Sequence, residues 1–549
     1  MAYLTGGGGQ PLLILKEGTE RKTKKNAFSN NVAAALAIAE AVRSTLGPKG
    51  LDKLLVDSLG DLTITNDGAT ILKEIDVQHP TAKMMVEVAK TQDDEVGDGT
   101  TSSVILCGAI LEQVNELIQS GVHPSIVAKG VSKAKDEALK ILEKIAYKVS
   151  EEEKNLMKNV VSTSMNSKMI SLGKERLSEL VLDAMLTLKK AGVKNLNKNV
   201  EKIKVVKKEG GDALHDTSLI KGIVIDKEIV HSQMPKSMKS PKIALLSFAL
   251  EKSKGEWDAK ISIESPDQMM AFVEEEESMV QKKVQKLIDM GVNVVLSQKA
   301  MDDIAIHYLK KAGIMAVKSV SKKDIQLISD AIGASVLNSI DDMSESDLGT
   351  CNVVKEKTIA DGKFLFIEGC QDPRALTILI RGEGGKSLDE TERGIHDALC
   401  VAATLLEVPA IVACGGAVEI ELSKRITEYA KTFSGREQLV IEHFANALES
   451  IPATLAANAG LDAIDVLGEI RTAHKTENDT FLGYNLYTNK VEDMKAAGVI
   501  EPVSLVKTAI KTAAEVAIMI IRIDDMIRAS DLGGGIGGGG PGGAGMPPM

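Results

Sequence analysis

Residues 97–102 read GDGTTS: two glycines flank Asp98, and the hydroxyl residues Thr100, Thr101 and Ser102 follow. An apolar run, SVILCGAI, begins at Ser103. A freely turning backbone that opens into a helix presents main-chain N–H groups and the positive end of the helix dipole, which suits a phosphate. The familiar P-loop adds a lysine after its second glycine, and none stands here. An aspartate would repel phosphates unless a cation lay between them. Mg²⁺ meets that need, since it takes one or two carboxylates together with phosphate oxygens. Asp98 is therefore read as a metal ligand, against the plainer alternative that it simply caps the next helix.

Other stretches offer weaker chemistry. LTITNDGATIL (62–72) alternates like a strand and turns at Asn66-Asp67-Gly68, a strong turn signal by itself. A functional reading requires Asp67 to face the same phosphate as Asp98. RGEGGKSLDE (381–390) contains GGKS, but a P-loop needs glycine at position 380, which is Ile380. A capping box of Ser387 and Glu390 accounts for that stretch better. In the helix that follows, Glu390, Arg393 and Asp397 fall near one face, with His396 beside them as an ordinary polar side chain. A solvated stripe is the simpler reading of that face. LGPKG (46–50) and CGGA (414–417) are further glycine turns. No HExxH or GxSxG pattern appears, and the eight histidines are scattered, which disfavours metalloprotease and serine-hydrolase chemistry.

The elements that must position these residues can be read from composition and periodicity. The chain has 549 residues, 44% hydrophobic and only 3% aromatic, so several domains with aliphatic cores are expected. A net charge of −11 argues against a nucleic-acid or anionic-membrane binder. The five cysteines form no CxxC pair, and the N-terminus lacks a signal-peptide pattern, so a cytoplasmic protein is expected. Both ends read as Ala-rich helix, and the two helical ends hint at one domain made from distant segments. GVNVVLSQ, the helix around MDDIAIHYLKKAG and IMAVKSV form a strand–helix–strand unit in the middle. Ser265 and Pro266 start a preceding helix with Met269, Phe272, Val273, Val280, Val284 and Leu287 on one face, ended by Gly291. Residues 251–264 are polar and read as a mobile projection, and the glycine-rich tail from Gly533 as disordered.

TLGPKG, TNDGATIL, EVAKTQDDEVGDGTTS, TSMNSK, ERGIHDAL, CGGAVEIEL, REQLVIEHFANALESIPATLAANAGLD and IRIDD occur in that order. Together they resemble the group II chaperonins, the family of the archaeal thermosome and the eukaryotic cytosolic chaperonin, from about residue 27 to 530. The resemblance implies a multidomain chaperonin fold. A mostly α-helical equatorial domain would join 1–153 to 411–532, and a small α+β intermediate domain would join 154–222 to 376–410. An α/β apical substrate-binding domain would span 223–375, with a built-in lid near 250–275 and Met269, Met270 and Phe272 as candidate substrate or lid contacts. Residues 533–549 would be the tail.

The resemblance also implies roles. Asp98 would hold Mg²⁺, and Gly99, Thr100, Thr101 and Ser102 would wrap the phosphates of ATP. Leu46, Gly47 and Pro48 would form the opposite wall, with Gly68 beside Asp67. Gly415, Gly416 and Glu501 would approach the ribose and base. Ser167 and Lys168 would sense the γ-phosphate. Asp67 and Asp397 would orient or deprotonate the attacking water. Cys414 stands where many relatives carry a third glycine. The implied cofactors are ATP and Mg²⁺, with K⁺ as an option. The implied partners are non-native proteins and like or paralogous subunits in a double ring, with no nucleic acid or membrane. Two alternatives use the same site: a small-molecule phosphotransferase, and a ring that has lost its ATPase and only holds its clients.

Overall fold

The computed structural model describes residues 3–4, 12–13, 20–56, 59–166, 173–212, 216–251, 266–341, 343–372, 374–382 and 384–528. Ser167, Lys168, the N-cap expected at Ser265, most of the projection expected at 251–264 and the tail from Gly533 lie outside the described residues.

The buried apolar side chains gather into three large clusters. The first draws on residues 28–142 and again on 412–521. Its helices Lys24–Arg43, Pro80–Val96, Thr100–Gln119 and Pro124–Ile145 pack with Ala417–Ala430, Arg436–Leu448 and Val503–Ile521. With few aromatic rings available, close approach replaces bulk. A Cβ on Gly108 would lie 2.7 Å from the Cβ of Ala39, so glycine at that crossing lets two helix backbones touch. Helix Thr100–Gln119 runs through the middle with most of its length buried. Each fully buried Ile or Leu there contributes about 1.5–3 kcal/mol.

The second cluster, residues 223–367, surrounds a mixed sheet. Strands Met315–Val317, Val294–Ser297 and Lys242–Leu246 are parallel neighbours, and Gly349–Ile359, Gly362–Cys370 and Gly222–Ile225 continue the sheet antiparallel. The expected strand–helix–strand unit is present, its helix being Asp303–Lys311. The parallel strands are buried almost throughout, as continuous apolar runs between helices should be. On the preceding helix, Pro266–Asp289, Val280, Val284 and Leu287 are buried as expected, while Met270 is 63% exposed.

The third cluster joins Val96 and residues 149–203 to 376–411, with Ile500 and Leu505. Strand Leu376–Gly382 pairs parallel with Ile203–Glu209 and antiparallel with Ser218–Ile220, then feeds a long helix.

A few elements carry the candidate chemistry. They are β1 (Lys53–Val56) and β2 (Leu62–Thr65), a two-stranded hairpin; α1 (Gly68–Glu74), α2 (Pro80–Val96) and α3 (Thr100–Gln119); α4 (Gly385–Glu407); and β3 (Ala410–Ala413), α5 (Ala417–Ala430), β4 (Leu482–Asn485) and β5 (Ile500–Pro502).

The turn expected at Asn66-Asp67-Gly68 is present: β2 stops at Thr65, and Asp67 caps α1 because its carboxylate accepts from the N–H groups of Ala69 and Thr70. Two other local readings are corrected. The cap of α3 is Gly99 rather than Asp98. The capping box at Ser387 does not form. α4 already begins at Gly385, after the extended N-cap Gly384, and Glu390 turns to Arg393 instead.

Candidate functional site

The GDGTTS loop is built by two left-handed glycines. Gly97 (φ 71°) ends α2 and Gly99 (φ 75°) starts α3. A Cβ on Gly97 would overlap Cys400 of α4, and one on Gly99 would lie 2.7 Å from Leu505 Cδ2. Any other residue at either position faces both backbone strain and a clash. The Gln92 amide pins the loop by donating to the carbonyls of Asp98 (2.9 Å) and Leu505 (3.2 Å). Ser103 N donates to Gly99 O at 3.0 Å, so the first helical bond of α3 starts there. The N–H groups of the turn before it have no intrahelical acceptor, and this turn lines a cleft of about 420 Å³.

Asp67 forms the next part of the wall. Its carboxylate accepts from Ala69 N (3.3 Å), Thr70 N (2.8 Å), Thr70 Oγ1 (2.7 Å) and Thr100 Oγ1 (3.0 Å). Gly68 permits that approach, because a Cβ on it would stand 2.6 Å from Thr101 Oγ1. Leu46 and Gly47 close the opposite side; Asn458 holds their loop by donating to Leu46 O (2.9 Å) and Arg43 O (3.0 Å).

Asp397 enters from α4, more than 290 residues further along the chain, with its side chain 13% exposed. The stripe expected to be solvated is packed: Glu390 is 4% exposed and paired with Arg393. His396 is more than a bystander, since its Nδ1 lies 3.9 Å from Asp397 Oδ1. Asp397 and then Cys400 hold its pKa well above the usual histidine value.

Asp67, Asp98 and Asp397 therefore line one cleft together with Leu46, Gly47, Gly99, Thr100, Thr101 and Ser102, and no lysine or arginine lines it among the described residues. Asp93 was missed in the sequence. One turn before Gly97, it is pushed up to about 6 by burial and then by Asp397 and Asp67. The doublet Asp93-Asp94 was its only signal. Carboxylates gathered around a helix N-terminus suit an anion when a cation accompanies it. Among the described residues no three His, Cys, Asp or Glu side chains are grouped to hold a metal by themselves. The oxygen donors suit a hard divalent ion completed by the anion's own oxygens.

A second cavity of about 680 Å³ shares Gly47 with the cleft. Pro48 and Gly415 line it with Cys414, Tyr484, Asn485, Leu486, Tyr487 and Met494. Gly415 (φ 70°) is packed on β4, where a Cβ would lie 2.9 Å from Tyr484 O. The β4 residues went unseen because isolated apolar and amide side chains carry no motif. Gly416 and Glu501 line neither cavity. Gly416 (φ 81°) is the N-cap of α5 and packs on Pro452. Glu501 sits on β5 opposite Val412 and bonds Cys414; burial, then Glu419 and Asp98, push its pKa up to about 8.

Residues 38–531 match the TCP-1/cpn60 chaperonin family. The chain is 48% identical over 541 residues to the thermosome subunit beta of Archaeoglobus fulgidus, covering 98% of both chains. It is 49% identical over 532 residues to a thermosome subunit of Pyrococcus horikoshii, covering 97% of this chain and 96% of the relative. A thermosome subunit of Methanopyrus kandleri is 47% identical over 532 residues. The chain belongs to the TCP-1/cpn60 chaperonin family, as a group II chaperonin.

Proposed function

We propose that this chaperonin subunit hydrolyses ATP with Mg²⁺ and uses the cycle to enclose and fold non-native proteins in a double ring. The observation that carries the reading is the convergence of Asp67, Asp98 and Asp397, from three distant stretches of chain, on the N-terminus of α3. The cleft fits a magnesium triphosphate: N–H groups without intrahelical acceptors and hydroxyls for phosphate oxygens, an acidic wall that suits a cation, and an adjoining, mostly apolar cavity for the nucleoside. Asp98 would hold the ion, which when bound supplies charge neutralisation at the phosphates. K⁺ is an optional further cation.

Asp67 is fixed by its four hydrogen bonds, so its contribution is to hold a water molecule in place. Asp397 supplies the second acceptor for that water. It rides on α4, whose core is the third cluster, whereas α1, which Asp67 caps, and α3 belong to the first. Rotation of one cluster against the other would assemble or dismantle the centre. In this reading the clusters correspond to an equatorial domain (1–153 with 411–532), an intermediate domain (154–222 with 376–410) and an apical domain (223–375). The lid near 250–275, and γ-phosphate sensing by Ser167 and Lys168, belong to the same proposal.

Like or paralogous subunits are the proposed ring partners, in keeping with the alpha and beta thermosome subunits of Archaeoglobus fulgidus. The β1–β2 hairpin supports this, for Leu54 is 61% and Leu59 87% exposed. Such a patch suits a protein surface. No helix among the described residues is long and apolar enough to cross a membrane. A cytoplasmic location is part of the proposal.

Asp397→Ala tests the reading. Phosphate release should fall about 100-fold or more while binding of a fluorescent ATP analogue persists. Turnover near that of the parent protein would overturn it.

A further inference from the structure

We propose that Arg393, held by Glu390, is a positioning residue for hydrolysis, tying the helix that carries Asp397 to the strand that leads into Asp67. The inference rests on the ATPase reading above.

Glu390 Oε2 accepts from both Arg393 Nε (3.0 Å) and Arg393 Nη2 (2.7 Å). With the Glu390 side chain 4% exposed, Arg393 cannot leave without stranding the carboxylate's charge. The anchored guanidinium reaches further: Nη2 also donates to Ile64 O at 3.4 Å. Ile64 belongs to β2, and three residues later the chain reaches Asp67. One side chain thus spans the two elements whose separation sets the distance between the proposed water-holding carboxylates.

The tie matters because it fixes the hairpin to α4 itself, which its packing through Leu55 on the first cluster does not do. The hairpin is a two-stranded sheet with Leu54, Val56, Leu62 and Ile64 exposed, and an isolated hairpin is marginal by itself. On α4 the arrangement is two-sided. Arg393 stands four residues before Asp397 and grips β2; Cys400 stands three residues after it and packs on Gly97 of the GDGTTS loop. Asp397 lies between two anchors, one towards Asp67 and one towards Asp98. A displacement of about 1 Å at such a centre can cost up to about 100-fold in rate. The surface stripe expected from the sequence is thereby a brace.

Arg393→Lys tests this, since lysine keeps the charge beside Glu390 but cannot hold that carboxylate and reach Ile64 O together. Turnover should fall about 10-fold or more, with the KM for ATP and the assembled ring unchanged. In an Asp397→Ala background the same substitution should cost nothing further, because the distance the brace sets between Asp67 and Asp397 matters only while both are carboxylates. Three results overturn the proposal: equal kcat in Arg393→Lys and the parent, kcat and KM changing together with loss of assembly, or a full second loss in the Asp397→Ala background. If the parent protein itself releases no phosphate, the ATPase reading fails first and takes the brace with it.

Discussion

Thr100 donates its hydroxyl to Asp67 across 33 residues of sequence, at 3.0 Å, and so joins the cap of α1 to the first residue of α3. Asp67 has two separable jobs here, since it satisfies the start of one helix and lines the cleft at the start of another.

Substitution can divide those jobs. Asparagine caps helices about as well as aspartate, whereas alanine loses about 1 kcal/mol. Asp67→Asn keeps one capping oxygen but turns its amide NH2 towards the other donors, so it should cost less stability than the loss of about 1 kcal/mol with alanine, without matching the parent. Its steady-state ATP turnover should nevertheless fall about 10-fold or more through loss of the charge. Asp67→Ala should lose turnover and about 1 kcal/mol as well. If Asp67→Asn hydrolyses ATP like the parent, Asp67 is only a cap.

Gly68 offers a test in which helix propensity points the wrong way. Alanine normally stabilises a helix over glycine by up to about 1 kcal/mol. Here its methyl would meet Thr101 Oγ1 at 2.6 Å and Thr101 N at 3.0 Å. Gly68→Ala should thus destabilise by about 1–3 kcal/mol and weaken nucleotide binding by shifting the first turn of α3. A denaturant melt showing equal or greater stability would contradict the packing described.

Burial of Glu501 sets a pH dependence. Burial pushes its carboxyl up to about 8 in the folded chain, against an ordinary value of 4.5. Between those limits the folded state holds more protons than the unfolded one, so stability falls as pH rises through the window. Glu419, pushed up to about 7 by burial, acts in the same direction. Thermal unfolding of nucleotide-free protein from pH 5 to 8.5 should show a declining midpoint, and Glu501→Gln should flatten it. A parental midpoint that climbs over that range would place Glu501 in water instead.

Much of the local structure was legible before any coordinates. Glycines on either side of Asp98, with hydroxyls and an apolar run behind, specify a turn into a helix because few other residues adopt a left-handed φ. Continuous apolar runs located two of the parallel strands, Val294–Ser297 and Met315–Val317, whose burial follows from helices covering both faces. The failed P-loop at GGKS was legible from spacing alone. Local misreadings came where long-range packing competed with a local signal. Ser387 and Glu390 had the pattern of a capping box, yet Glu390 is drawn to Arg393 and α4 starts earlier.

By itself, the sequence determined an aliphatic, helix-and-sheet chain with a glycine turn that opens into a helix at residues 97–102, since turns, caps and periodicities depend on neighbours within a few residues. Tertiary structure alone decided that Asp67, Asp98 and Asp397 share a cleft, that Gly416 and Glu501 stand outside both cavities, and that a polar stripe braces α4. Those outcomes depend on how helices from opposite ends of the chain pack, and no local pattern encodes the distance between residues that only packing brings together.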